Sequence, residues 1–157
     1  MSDGLHDFTL PSRGRGETPA STPRLLEPYG ARVVLQPAQQ ELDAEMFLKA
    51  LLEDVASACL VGGASVIGHL KCLVQAGDRR WFCNLTSTRS GAACRGEGDG
   101  RLSLQDGARL DLAVLVYGLP ASTIDGLVGD ALRSLLEPLG ISWSKNMPSV
   151  VHASAGR

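Results

Sequence analysis

Apolar and polar residues alternate most regularly between Val66 and Ser87, in two runs that flank the dipeptide Gly77-Asp78. Such alternation is typical of β-strands with one buried face, and a dipeptide with glycine first favours a type II′ hairpin turn. The pattern therefore predicts a β-hairpin centred on this dipeptide. Its apolar face pairs residues across the two strands: Cys72 with Cys83, Leu70 with Leu85 and Val74 with Trp81.

The opposite face of the predicted hairpin mixes polar and apolar side chains, because residues two apart on a strand share a face. Its polar members are His69, Lys71, Asn84 and Thr86, with His69 opposite Thr86 and Lys71 opposite Asn84. Leu73 and its partner Phe82 continue the face as an apolar patch. We expect a partner-binding surface here, and the alternative is the solvated side of a half-covered sheet.

Helical spacing follows a short predicted strand at residues 31–36. Asp43 is a favourable N-cap residue, and apolar residues recur after it at intervals of three and four positions. The glycine pair at residues 62–63 predicts that this helix ends near Cys59 or Leu60. The apolar stripe consists of Phe47, Leu48, Leu51, Leu52 and Val55.

Weaker patterns follow the hairpin. Residues 92–96 predict a short third strand, and Leu102 and Leu104 predict a brief edge strand within a surface loop. The aliphatic run at residues 110–117 has the β-branched and aromatic content of a central strand.

A second helix is predicted after Pro120. Ser122 or Thr123 is the expected N-cap, and Asp125 is expected in the first turn, where a negative charge complements the helix dipole. Pro138 and Gly140 stop the pattern.

This order of elements predicts an α+β fold, with a mostly antiparallel sheet of four to five strands and two helices packed on one face. The length of 157 residues suits one domain. We expect a disordered leader at residues 1–28, rich in Pro, Gly, Ser and Thr, a single α+β domain at residues 29–140 and a C-terminal tail at residues 141–157.

Composition narrows the function classes. The net charge of −2 and the aromatic content of 4% argue against a nucleic-acid partner, which favours a basic and aromatic surface. No apolar run approaches the length of a membrane span, and the N-terminal residues lack the pattern of a signal peptide. We therefore expect a soluble, cytoplasmic protein with no membrane partner.

The cysteines Cys59, Cys72, Cys83 and Cys94 contain no C-x-x-C pair of the kind found in zinc sites. Each lies in or beside an apolar segment, so we expect buried free thiols. Cys72 and Cys83 are the candidate disulfide pair, because they oppose each other in the predicted hairpin; a reducing cytoplasm would keep them as thiols. We expect no metal site and no cofactor.

Three segments resemble the C-terminal domain of CobW-type GTPases: DAEMFLKALL at residues 43–52, VIGHLKC at residues 66–72 and LAVLVYGLP at residues 112–120. In that family a helix precedes a strand with a central lysine, which Lys71 matches, whereas Cys72 stands where a small residue is usual. The family joins this domain to a GTPase with a phosphate loop and a metal-binding cysteine motif, and this sequence has neither. The resemblance implies an accessory role in metal or cobalamin cofactor handling.

These observations leave three functional hypotheses. The first is a non-enzymatic interaction domain, without catalytic residues, that binds a protein partner through His69, Lys71, Leu73, Phe82, Asn84 and Thr86. The second is a small-molecule or metal-binding enzyme or sensor that uses His69 and Lys71 as acid, base or anion-binding groups. The third is a regulatory or assembly subunit whose leader folds on binding, and homo-oligomers are compatible with all three.

Overall fold

The structure is a computed structural model and describes residues 25–146. It contains eight strands and two α-helices. In chain order these are β1 (Tyr29–Leu35), β2 (Glu41–Asp43), α1 (Ala44–Val61), β3 (Val66–Ala76), β4 (Arg79–Leu85), β5 (Ala93–Gly96), β6 (Arg101–Ser103), β7 (Ala108–Tyr117), α2 (Ala121–Leu136) and β8 (Trp143–Asn146), with a 3-10 helix at Glu137–Leu139 between α2 and β8.

The main sheet has six strands in the order β5-β4-β3-β7-β1-β8, and every neighbouring pair is antiparallel. Strand β7 lies between β1 and β3, and β1 lies between β7 and β8. The chain segments that contain α1 and α2 therefore each join two main-sheet strands that a third strand separates. This is the connection order of the split β-α-β fold. The predicted α+β class is confirmed, with more strands than the four to five expected.

The core lies between the two helices and one face of this sheet. Alternate strand residues, such as Val33, Leu70 and Leu110, are fully buried, as are Leu51 of α1 and Leu132 of α2. Among the described residues the fully buried positions are apolar, and no charged or polar residue is buried. The helices therefore pack on one face, as predicted, and the other face of the sheet stays uncovered.

The predicted hairpin register is confirmed from Leu70 to Ala76 on β3. Leu70 pairs with Leu85, Cys72 with Cys83 and Val74 with Trp81 across β3 and β4. Gly77 has a φ of 61°. Within residues 25–146 every residue with a positive φ is a glycine, so Asp78, the second turn residue, has a negative φ. A positive φ at the first turn residue alone is the signature of a type II′ turn.

Helix α1 begins and ends close to the predicted positions. Its N-cap is Asp43, whose Oδ1 accepts a hydrogen bond from the backbone N–H of Met46 at 3.0 Å. The helix continues to Val61 and stops at Gly62.

The predicted N-cap of α2 is wrong. The helix begins at Ala121 with Pro120 as N-cap, and Asp125 lies beyond the first turn. Glu27 caps the helix instead, because its Oε2 accepts a hydrogen bond from the backbone N–H of Ala121 at 2.7 Å. A carboxylate brought in from 94 residues away thus replaces a local hydroxyl.

The segments flanking the predicted domain also join the fold. Trp143–Asn146, expected in a tail, pairs with β1 as the edge strand β8. Leu102 lies in β6 and Leu104 follows it, but β6 pairs with β2 in a separate two-stranded sheet, and both leucines are buried. Leu26 forms a β-bridge with Tyr117. The remaining leader and tail predictions, for residues 1–24 and 147–157, lie outside the described residues.

No described helix is long and apolar enough to cross a membrane.

The cysteine prediction is partly wrong. Cys83 forms a disulfide with Cys94 across β4 and β5, with the two Cα atoms 4.1 Å apart, and Cys59 and Cys72 are free and buried. The hairpin alone places Cys72 opposite Cys83, but β5 brings Cys94 to the other side of the same residue. Burial raises the pKa of the Cys72 thiol to about 12.

Candidate functional site

The uncovered side of the main sheet, which we call the open face, carries the polar strand residues. One continuous row of directly paired residues crosses all six strands on this face. From β8 to β5 the row consists of Asn146, Arg32, Asp111, Leu73, Phe82 and Arg95. Its centre is apolar, and a charged residue lies directly on each side of the centre: Asp111 on β7 and Arg95 on β5.

The structure brings together four of the predicted site residues. Leu73 pairs with Phe82 and Lys71 pairs with Asn84, both in the predicted register. Leu73, Phe82 and Asn84 are half-buried, and Lys71 is exposed. The predicted juxtaposition is confirmed, and a binding role for it remains a prediction.

His69 and Thr86 lie at the margin of this group. A β-bulge between Ile67 and His69 interrupts the pairing of β3 with β7, and His69 is half-buried beside Leu115. The bulge contains Gly68, where a Cβ atom would lie 2.7 Å from the carbonyl oxygen of Leu115. Thr86 is exposed in a bend after β4, so the predicted pairing of His69 with Thr86 is wrong. The strand ladder ends one pair earlier, at Leu70 and Leu85.

Two cations missed by the sequence analysis flank the apolar centre. Arg80 lies two residues before Phe82 on β4, so strand alternation already places it on the same face. Arg95 pairs with Phe82 across β4 and β5, and its guanidinium carbon is 5.3 Å from the centroid of the Phe82 ring, within range of a cation–π interaction. The second contact depends on the register of β5, which the sequence pattern does not define.

Strand β5 packs closely against Trp81 at the residue next to Arg95. The next residue is Gly96, and a Cβ atom there would overlap the indole ring of Trp81. Trp81 is 8% exposed and lies on the helix side of the sheet. A glycine at residue 96 therefore lets β5 lie close over Trp81 while Arg95 extends over Phe82.

The charged residues of the open face fall into two groups. Arg32 and Arg109 both contact Asp111, through Nε atoms at 2.8 Å and 3.5 Å from its two carboxylate oxygens. Within residues 25–146, by contrast, Lys71, Arg80 and Arg95 have no carboxylate within ion-pair distance. We call these three residues the rim cations. Their charges are free to meet a negatively charged partner.

Two shallow depressions meet at the apolar centre, and Leu73 and Phe82 line both. The larger has a volume of about 520 Å³, and its other lining residues are Arg80, Arg95, Gly96 and Glu97. The smaller, about 220 Å³, extends toward Lys71 and Asp111. Both are open to solvent, so they suit the side chains of a docked chain better than an enclosed small molecule.

A second polar cluster lies on the helix side of the sheet and was not predicted. Asp125 of α2 accepts hydrogen bonds from Tyr29 of β1, at 2.6 Å, and from the ammonium group of Lys145 of β8. Burial opposes the charge on Asp125, but these two hydrogen bonds hold its pKa below the ordinary value. Burial, followed by the contact with Asp125, raises the pKa of Tyr29 above its usual range. The cluster joins α2 to β1 and β8, and we assign it a structural role.

Metal-ligating side chains are scattered over the described part of the chain. Within residues 25–146, no group of three or more His, Cys, Asp or Glu side chains is arranged to hold a metal ion. His69 is the one histidine in this range.

Comparison with known proteins adds no relative to this description. No protein-family model, no curated protein and no solved structure matches the chain.

Proposed function

We propose that the chain is a non-enzymatic accessory domain that binds a protein partner through the open face. One observation carries this proposal. The helices cover only one side of the sheet, and the uncovered side places the half-buried pair Leu73 and Phe82 among the unpaired rim cations. A central apolar anchor with a polar rim is the typical anatomy of a protein interface.

The apolar centre accounts for affinity in this proposal. A partner side chain that covers Phe82 removes aromatic and aliphatic surface from water, and aromatic residues are common interface hot spots. The rim cations keep their hydration until a partner supplies carboxylates, so they contribute mainly to association rate and to specificity.

The resemblance to the C-terminal domain of CobW-type GTPases supports an accessory role. By this analogy, the partner is a protein that takes part in the handling of a metal or of a cobalamin cofactor. The split β-α-β order of the sheet is compatible with many functions, so the proposal rests on the open face and not on the fold.

The direct test is affinity capture with in-cell cross-linking, using the full chain as bait. The open-face variant carries Lys71→Glu and Phe82→Ala. The matched control carries Lys49→Glu and Met46→Ala on the exposed side of α1, where Met46 is 70% exposed. We expect partners shared by the wild type and the control to be lost from the open-face variant, whereas identical partner sets for all three baits would sink the proposal.

A thermal-shift screen tests the alternative of a small-molecule or metal-binding enzyme or sensor. The probes are nucleotides, divalent metal salts and corrinoids, because a ligand that binds the native state raises its melting temperature. We expect no shift with any of them. A saturable shift that is abolished by His69→Ala or Lys71→Ala would favour the alternative over the interaction domain.

A further inference from the structure

We infer, building on the proposed function, that the partner presents an extended acidic segment in which one apolar residue stands between two carboxylates. The pattern is acidic, any residue, apolar, any residue, acidic. This inference rests on the spacing of the rim cations about Leu73 and Phe82, and on the charge of the surrounding surface.

The strand register determines the spacing. Lys71 lies two residues before Leu73 on β3, and Arg80 lies two residues before Phe82 on β4. Because the strands are antiparallel and Leu73 pairs with Phe82, Lys71 and Arg80 lie on opposite sides of the apolar pair along the strand direction. At about 3.4 Å per residue, the two cations are about 14 Å apart along this axis.

An extended chain has the same spacing on one of its faces. Its residues i, i+2 and i+4 point the same way, and positions i and i+4 are about 14 Å apart. When residue i+2 sits on Leu73 and Phe82, the residues at i and i+4 lie over Lys71 and Arg80. Carboxylates at these two positions would neutralise both cations at once.

The surrounding charge also favours an acidic segment. Arg95 adds a third unpaired cation beside Phe82, and Glu97 is the one carboxylate that lines the larger depression. The exposed side of α1 carries the carboxylates Glu45 and Asp54. Complementary potentials therefore direct an acidic segment to the open face and away from α1.

The same surface is poorly suited to single-stranded nucleic acid, which also carries negative charge. Sequence-tolerant binding of single strands uses several aromatic side chains as stacking platforms. Within residues 25–146, the open face has Phe82 at its centre and Tyr117 at the end of β7, and Arg95 already lies over the Phe82 ring. We therefore assign the open face to an acidic peptide segment.

Fluorescence anisotropy with the full chain tests this inference. The probe is a short labelled peptide with the core Glu-Ser-Leu-Ser-Glu. Three control peptides change one property each: Lys-Ser-Leu-Ser-Lys reverses the charge, Glu-Ser-Ser-Ser-Glu removes the apolar residue, and Leu-Glu-Glu-Ser-Ser keeps the composition but changes the spacing. Labelled oligo(dT) is the nucleic-acid probe.

We expect the probe to bind more tightly than all three control peptides and than oligo(dT). Phe82→Ala should weaken binding at least about 5-fold at any salt concentration. Lys71→Glu and Arg80→Glu should each weaken it about 3- to 10-fold at about 0.01 M salt, with a smaller effect at about 0.15 M salt. The control variants Lys49→Glu and Met46→Ala should leave the affinity for the probe unchanged. Before these measurements, circular dichroism should show that every variant has the wild-type spectrum.

The outcomes separate the two proposals. Tighter binding of a control peptide, still sensitive to Phe82→Ala, overturns the acidic pattern and leaves the protein-binding surface intact. Tighter binding of oligo(dT) with the same sensitivity overturns both the acidic pattern and the protein partner. Binding of the probe that is insensitive to all open-face variants overturns the surface itself. Absence of probe binding up to about 1 mM overturns the acidic pattern. Dimers that the wild-type chain forms and the Phe82→Ala variant does not would assign the surface to a second copy of the chain.

Discussion

Leu73 lies directly opposite Phe82 on the uncovered side of the sheet, and the pair lines both depressions of the open face. Leu70, three residues earlier on the same strand, points into the core and is fully buried. The same strand thus supplies one leucine to the core and one to the open face. This difference can be measured.

Truncation of these two leucines should have unequal effects on stability. Leu70→Ala leaves a cavity in the core and should lower the free energy of unfolding by about 2–5 kcal/mol. Leu73→Ala removes a cross-strand contact on the open face and should cost about 1 kcal/mol or less. Urea unfolding of both variants measures the difference, provided that the free energy of unfolding falls with urea concentration at the same rate in both. Equal losses would mean that Leu73 belongs to the core.

Removal of the Glu27 carboxylate should destabilise α2. Glu27→Ala leaves the N–H of Ala121 without its acceptor and should cost about 0.5–2 kcal/mol, which is typical of a lost N-cap. Ser122→Ala and Thr123→Ala should each change stability by less than about 0.5 kcal/mol, because neither side chain caps the helix. Chemical denaturation of the three variants is the measurement, and a larger loss for Ser122→Ala than for Glu27→Ala would contradict the observed cap.

The disulfide between Cys83 and Cys94 should be detectable by thiol counting and by stability. Denatured, unreduced protein should contain two reactive thiols, from Cys59 and Cys72, out of four cysteines. Reduction opens a loop with a sequence separation of 11 residues. It should lower the free energy of unfolding by about 2–3 kcal/mol. Cys59→Ala is the control, since it should keep the response to reductant. Four reactive thiols without reductant would contradict the assignment.

The contact of Asp125 with Lys145 should support the fold at neutral pH but not in acid. The folded state lowers the pKa of Asp125, so its contribution is complete above the ordinary aspartate pKa of about 3.9. It is lost as the pH falls below that value through the folded-state pKa. Lys145→Met should therefore cost about 1–3 kcal/mol at neutral pH, and the cost should shrink in acid.

Urea midpoints across this pH range measure the effect. Lys49→Met, on the exposed side of α1, serves as the control for loss of a lysine charge. A cost for Lys145→Met that stays constant with pH would mean that the ion pair does not contribute as described.

Local patterns were sufficient to predict the hairpin and α1. Alternation and the Gly77-Asp78 turn together define the β3–β4 register, so the juxtaposition of Leu73 with Phe82 was predictable. Likewise Asp43 and the following apolar stripe define the start of α1.

The features that the sequence pattern did not predict depend on contacts between residues far apart in the chain. The ion pair of Arg32 with Asp111 spans 79 residues, the Glu27 cap spans 94, and the edge strand β8 has only four residues. No local pattern reports such contacts, because they depend on which strands become neighbours. The basic character of the open face was hidden for the same reason. The net charge of −2 averages the rim cations with the carboxylates of α1 and the surface loops.

The most direct test of the open face as a docking surface is a two-dimensional amide NMR titration of the full chain with the Glu-Ser-Leu-Ser-Glu peptide. We expect chemical-shift changes that concentrate on the open face and leave the amides of α1 near Met46 unchanged. The affected residues should be Lys71, Leu73, Arg80, Phe82 and Arg95. Binding of the peptide with shifts confined to the helices would contradict the open face as its docking surface.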